Sequence, residues 1–275
     1  MTATTLRPQP LELPLGASPP RMADYVLGGG DHLPADRTAV REIMRVAPWY
    51  EDSVRINHAY TLDTAQYLTT QAGIGQFLDI GSALLSRGPG YTDPYPRLCS
   101  VLRQSTVVHV DTDSRTGSAP RSCTVTSPGR HHYVQASAVR PLELLRTLTL
   151  NAIDRSQPVG VLMHGLGHWI TSDADLKYLL DEIRAWLPPG SALSLTHATA
   201  DLHPDEANAA ARIIRGAEPG YRPRTHDEIQ ALLDPWPLCG PRRLVPVSQF
   251  HRQNLQVPAD RSGAYAAIAL HPHIA

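Results

Sequence analysis

Residues 77–90, FLDIGSALLSRGPG, decide how the chain is read. A short apolar run reaches Asp79 and turns at Gly81, the order expected where a strand feeds a turn that lets the backbone approach a nucleotide closely. A second glycine is expected two residues after Gly81, and Ala83 stands there instead. Alone, the stretch equally describes an ordinary strand-to-helix turn, so its meaning rests on what surrounds it.

Working outward, QFLDI (76–80), TVVHVD (106–111), HHYVQA (131–136), VGVLMH (159–164) and ALSLTH (192–197) are short β-prone runs. The helix-like segments PLELLRTLTLNAI (141–153) and DADLKYLLDEIRAWL (173–187) fall between the later ones. Strands alternating with helices predict a mostly parallel, doubly wound sheet. Upstream, Pro34 opens and Pro48 closes an amphipathic helix with Val40, Ile43, Met44 and Ala47 on one stripe; a second helix covers about residues 50–72 and stops at Gly73. After the fifth strand, helices start near Pro204 and Thr225, and RLVPVSQF (243–250) and AYAAIAL (264–270) close the chain as a strand pair at the sheet edge. The layout is α/β: a Rossmann-like, seven-stranded class I methyltransferase sheet with its last strand antiparallel and a helical lid at the N-terminus. Residues 1–20, rich in Pro, Thr and Leu without periodicity, are expected to be a disordered leader, and 21–275 a single domain.

The 275 residues are 42% hydrophobic, enough for one sizeable core. The net charge of −1 gives no electrostatic reason to expect nucleic acid or an anionic membrane, so a small molecule is the expected partner. Oligomeric state is not legible. Cys99, Cys123 and Cys239 are far apart, without disulfide or zinc spacing. No basic-then-apolar leader is present, and no apolar run approaches the roughly 18 residues of a membrane span, so a cytoplasmic location is expected.

In a sheet of this kind ligands bind outside the carboxyl ends of the strands. Asp79 and Gly81 lie at the end of the first strand and Asp111 at the end of the second, farther along than the roughly 20-residue offset usual for a ribose-binding acid. Asp111 suits two hydrogen bonds to a ribose diol. His164, His168 and His197 converge on the rim of the fourth and fifth strands, where a histidine of near-neutral pKa can take a proton from a nucleophile. The H-x-x-x-H spacing of His164 and His168 falls in a glycine-containing loop rather than a helical H-E-x-x-H, so no metal site is assigned. His131 and His132 open the third strand at the end away from this rim and are expected to carry no chemistry. Gly28, Gly29 and Gly30, between Tyr25 and Asp31, would be costly in a regular element and predict a turn of special dihedrals or a close ligand contact.

Seven stretches in order carry a resemblance: ADYVLGGGDHLPADR (23–37), RINHAYTLDTAQYL (55–68), GIGQFLDIG (73–81), VVHVDTD (107–113), LPPGSALSLTHATAD (187–201), YRPRTHDEI (221–229) and LVPVSQF (244–250). From about Pro20 to Leu270 the chain resembles an actinobacterial family of S-adenosylmethionine-dependent methyltransferases long catalogued as a domain of unknown function. The resemblance implies the seven-stranded fold and binding of S-adenosylmethionine, but no particular acceptor. Three positions depart from the family pattern: Ala83 for the last glycine of the turn, Asp113-Ser114 for an Asp-Pro after the second strand, and Ser137 where an acid often faces the adenine amino group. All three lie on the cofactor side.

The expected activity is methyl transfer to a small molecule of secondary metabolism. Asp79, Gly81 and Asp111 hold the cofactor, the Tyr25–Asp31 segment with Gly28, Gly29 and Gly30 closes over it, and His168 is the base, with His164 and His197 as alternatives. GHWITSD (167–173) resembles a His-Trp-x-x-x-Asp loop of several small-molecule O-methyltransferases. A competing expectation is a non-catalytic member that keeps the fold as a regulatory or scaffolding partner, favoured by Ala83 and Ser137 and opposed by the three histidines and the glycine triplet.

Overall fold

The computed structural model describes residues 16–81, 98–111, 131–138, 140–214, 220–239, 244–250 and 258–271. Among them, seven strands form one sheet in the order β3-β2-β1-β4-β5-β7-β6. The strands are β1 (Gln76–Ile80), β2 (Thr106–Asp111), β3 (His131–Gln135), β4 (Gly160–His164), β5 (Ala192–Ala198), β6 (Val245–Pro246) and β7 (Ala264–Leu270). The first five are parallel, and β7 runs antiparallel to both β5 and β6. The closing strand pair stands at the sheet edge as expected, with β7 between β5 and the two-residue β6. Strand order reverses between β1 and β4, which puts the expected ligand crevice at their carboxyl ends.

Every residue of β1 and β5 is buried, as expected for strands covered on both faces. On one face Leu78, Ile80, Val108, Val110, Val161, Met163, Leu193 and Leu195 pack against α5 (Pro141–Asn151), α6 (Asp173–Trp186) and α8 (His226–Leu233). On the other, Phe77, Val107, Leu162 and Ala192 meet Ala65 and Leu68 of α3 (Tyr50–Thr70) and Leu98 of the short α4 (Leu98–Val101). The period-2 alternation of strands places Asp79, His109 and Asp111 on this second face, nearer the carboxyl ends.

Among the described residues, three helices precede β1. The two expected ones are α2 (Pro34–Val46) and α3; a further helix, α1 (Pro19–Val26), begins inside the segment expected as a leader, while residues 1–15 lie outside the described residues. Met22 and Val26 of α1 join Val40, Ile43 and Ala47 against Ala207, Ala210, Ala211 and Ile214 of α7 (Pro204–Ile214) and Ala198 at the end of β5. A fully buried ion pair, Arg21 to Asp36 at 2.8 Å, fastens α1 to α2. Its carboxylate also accepts from the backbone N–H groups of Ser18 and Leu33, so the charge is well satisfied. No helix among the described residues is long and apolar enough to cross a membrane.

Candidate active site

At the end of β1, Gly81 has φ +76° and donates its N–H to Val110 O at 2.8 Å. A Cβ there would lie 3.1 Å from the Leu166 side chain, so both backbone conformation and space favour glycine. Asp79, two residues back, is buried; its Oδ2 accepts from Nδ1 of His109 at 2.9 Å. His109 Nε2 in turn meets His131 Nδ1 at 3.0 Å. Asp111, also buried, ends β2. The register sets His109 opposite Asp79, which aligns Asp111 with Gly81. Two carboxylates beside a positive-φ glycine at the switch point suit a ligand with a cationic group and a ribose diol, as in S-adenosylmethionine. Ala83 and Asp113-Ser114 lie outside the described residues; Ser137 follows β3, and its carbonyl accepts from Arg140 N at 3.1 Å.

The three histidines divide between two networks. α3 lays Asn57, Tyr60 and Thr61 against the ends of β4 and β5. Thr61 Oγ1 donates to Asn57 O, so it must accept from His164 Nδ1 at 2.9 Å. His164 Nε2 is then an acceptor for Ser194 Oγ at 2.8 Å, and Ser194 accepts from Tyr60 OH at 2.9 Å. Every proton in this chain has one place. Burial pulls His164 down to about 3 and pushes Tyr60 up to about 12. Beside it, Thr196 Oγ1 accepts from Gly165 N at 2.8 Å and donates to Asn57 Oδ1.

His168 and His197 sit together, with ring centroids 5.7 Å apart. His197 Nδ1 donates to Ala198 O at 2.7 Å, and its Nε2 accepts from Arg224 Nη1 at 2.9 Å. Burial, and then the Arg224 charge, lower its pKa to about 4, partly offset by the Ala198 contact. Arg224 has no exposed surface and also binds Asp173 Oδ1 at 2.8 Å, Gly167 O at 3.2 Å and Ile170 O at 2.8 Å. It staples the 3-10 turn Gly167–Trp169 to β5. Glycine at 167 is required there, because a Cβ would come within 2.7 Å of the His197 ring. His168, on this turn, accepts the Ala198 N–H at Nδ1 over 3.2 Å. Its neutral ring therefore carries the proton on Nε2. Burial, His197 and Arg224 all lower its pKa, so the ring is uncharged at neutral pH and offers a hydrogen-bond donor. Acting as a base requires that it first give up the Ala198 contact and move its proton to Nδ1.

The glycine triplet forms the expected turn. Gly28, at φ +80°, follows the end of α1 as a left-handed helix stop. Gly29 passes so close to Asp24 that a Cβ would overlap its carboxylate, whereas at Gly30 there is open space. Asp24 Oδ2 accepts from Asp31 N at 3.0 Å and His32 N at 3.1 Å, pinning the turn. Tyr25 meets His32 edge-on at 5.0 Å and packs into the cluster that includes Trp169, Tyr221 and Ala198. The lid thus lies against the β5 end, beside His168.

Asp79, Gly81 and Asp111 come together, as do His168 and His197, while His164 belongs to the α3 network. Sequence reasoning missed His109, His131 and Arg224. His109 and His131 reach Asp79 only through strand register, and no local motif marks that; Arg224 lies in YRPRTHDEI, which carried a resemblance but no role.

A family model described as S-adenosyl methyltransferase matches residues 14–272. In structure the chain is similar to a DUF574 family protein from Streptomyces avermitilis, with 27% identity, a TM-score of 0.84, and coverage of 94% of this chain and 98% of that one. It also shares its fold with a candidate methyltransferase from Thermobifida fusca, at 24% identity and a TM-score of 0.78, covering 94% of this chain and 96% of that one. No curated protein matches the chain.

Proposed function

Because the chain belongs to the S-adenosyl methyltransferase family, we propose that it transfers a methyl group from S-adenosylmethionine to a small-molecule acceptor of secondary metabolism. The observation that carries this reading is the meeting of Asp79, Gly81 and Asp111 at the carboxyl ends of β1 and β2. When bound, the cofactor supplies a methyl group on a sulfonium, open to in-line displacement. Asp111 accepts from the ribose hydroxyls, Asp79 offers negative charge to the cationic end, and Gly81 lets the backbone come close. The Tyr25–Asp31 segment, with Gly28, Gly29 and Gly30, closes the crevice from the β5 side and excludes water. His168 directs its Nε2–H to the acceptor, while His197 and Arg224 hold the turn that carries it and His164 anchors α3 to the sheet. The acceptor that suits a donor rather than a base is one already ionised at neutral pH, such as an acidic phenol or a carboxylate, because no proton has to be taken from it.

Calorimetric titration with S-adenosylhomocysteine tests the cofactor half of this reading. Asp111→Ala should weaken binding by about 1.5–3 kcal/mol, the value of a hydrogen bond to a charged group, or roughly ten- to a hundredfold. Equal affinity in both proteins removes Asp111 from the site. No binding by either, with both well folded, favours the non-catalytic role instead.

A further inference from the structure

We propose that His109 is a positioning residue for cofactor binding, acting through Asp79, and that His131 in turn fixes the His109 ring; this rests on Asp79 facing the cofactor. The His109 side chain has no exposed surface and is held from three sides. Asp79 Oδ2 lies 2.9 Å from Nδ1, His131 Nδ1 lies 3.0 Å from Nε2 with the two rings within 17° of coplanar, and Tyr133 stacks on the ring at 4.9 Å. An ionised carboxylate has only lone pairs to offer, so His109 Nδ1 must be the donor. The contact therefore ties the Asp79 carboxylate to the His109 ring through Oδ2. Burial and the neighbouring His109 lower His131 to about 4, so His131 stays neutral beside it.

A buried carboxylate held by a hydrogen bond keeps one rotamer. In the crevice, Asp79 serves a cationic ligand best when its carboxylate is fixed in one orientation. The relay crosses β1, β2 and β3 and ties the carboxylate's orientation to the outer strand of the sheet. The backbone pairing of these strands does not depend on the side chains, so the relay's contribution is separable from sheet formation.

The test is the dissociation constant of S-adenosylhomocysteine, measured by calorimetry on the full chain. His109→Leu, which keeps bulk and loses the donor, should weaken binding by about tenfold or more. His109→Asn, whose amide N–H falls near the position of Nδ1, should recover most of that loss. Introduced into Asp79→Asn, His109→Leu should cost little further, because a residue acting through another loses its effect when that other is gone. Melting temperatures without ligand separate packing from positioning, since packing alone moves stability and leaves affinity unchanged. If His109→Leu does not fold, His131→Leu gives the same comparison with a smaller expected loss. A His109→Leu protein that binds as tightly as wild type, or that loses as much in the Asp79→Asn background, overturns the inference while leaving the cofactor assignment standing. A wild-type protein that does not bind S-adenosylhomocysteine overturns both.

Discussion

Arg224 joins a helix, a 3-10 turn and a strand through one guanidinium. Arg224→Met would take the arginine donor from His197 Nε2 and from the Ile170 carbonyl, and leave Gly167 O with the Ile170 N–H alone. Asp173 is half exposed and keeps water as a partner, so the cost comes from the buried acceptors left unsatisfied, about 1–3 kcal/mol, which should show as a drop in the urea unfolding midpoint. Arg224→Lys should recover little, because one ammonium cannot span partners arranged around a planar fork. At this scale the sequence marks which residue types could carry chemistry but not their protonation. His168 looks like a base by its place at a strand end, yet a backbone N–H from Ala198 makes it a donor, and nothing near it in the sequence announces that contact. Asp79 and Gly81 are legible because a turn is local. His109 is not, because its role depends on the register of a strand some thirty residues away.

Local signals serve better for whole elements. α8 has eight residues, too few to be stable on their own, and depends on its cap and on burying Ile229, Leu232 and Leu233. Thr225 Oγ1 accepts from Glu228 N at 3.2 Å, and Glu228 Oε2 accepts from Thr225 N at 2.8 Å. Thr225→Ala should therefore destabilise the protein by about 1 kcal/mol in thermal or urea unfolding, and Thr225→Ser by much less. The T-x-x-E pattern that makes this cap is written in four consecutive residues, so the helix start is readable from sequence. Helix α1 is not: it is short, proline-led, and has only Met22 and Val26 as a stripe, too little periodicity to stand out. It becomes a helix because α2 and α7 supply a surface for those two side chains and Asp36 supplies a partner for Arg21.

Across the molecule, burial has left several histidines uncharged. His131 and His197 fall to about 4 and His164 to about 3, below the unfolded value of about 6.5. The unfolded chain therefore binds protons that the folded chain refuses between those values. Stability should fall as pH drops through about 6.5, each such histidine adding a slope that approaches about 1.4 kcal/mol per pH unit until its folded pKa is reached. Urea midpoints at about pH 7, 6 and 5 should decline in that order, and a flat series would show that these rings charge freely in the folded state. The overall architecture was legible because alternating strands and helices constrain topology strongly; the place of β7 was not, since a terminal strand pair is consistent with more than one order at the edge. That place has a cost during synthesis. A ribosome delivers β5 well before β7, with α7, α8 and β6 between them. Until β7 arrives, the nascent chain holds out one side of β5, a strand whose every residue is buried in the finished protein, as an edge of unpaired backbone N–H and C=O groups, and β6 lacks its partner strand. Chains stopped before Ala264 should thus be the forms that clump or summon chaperones.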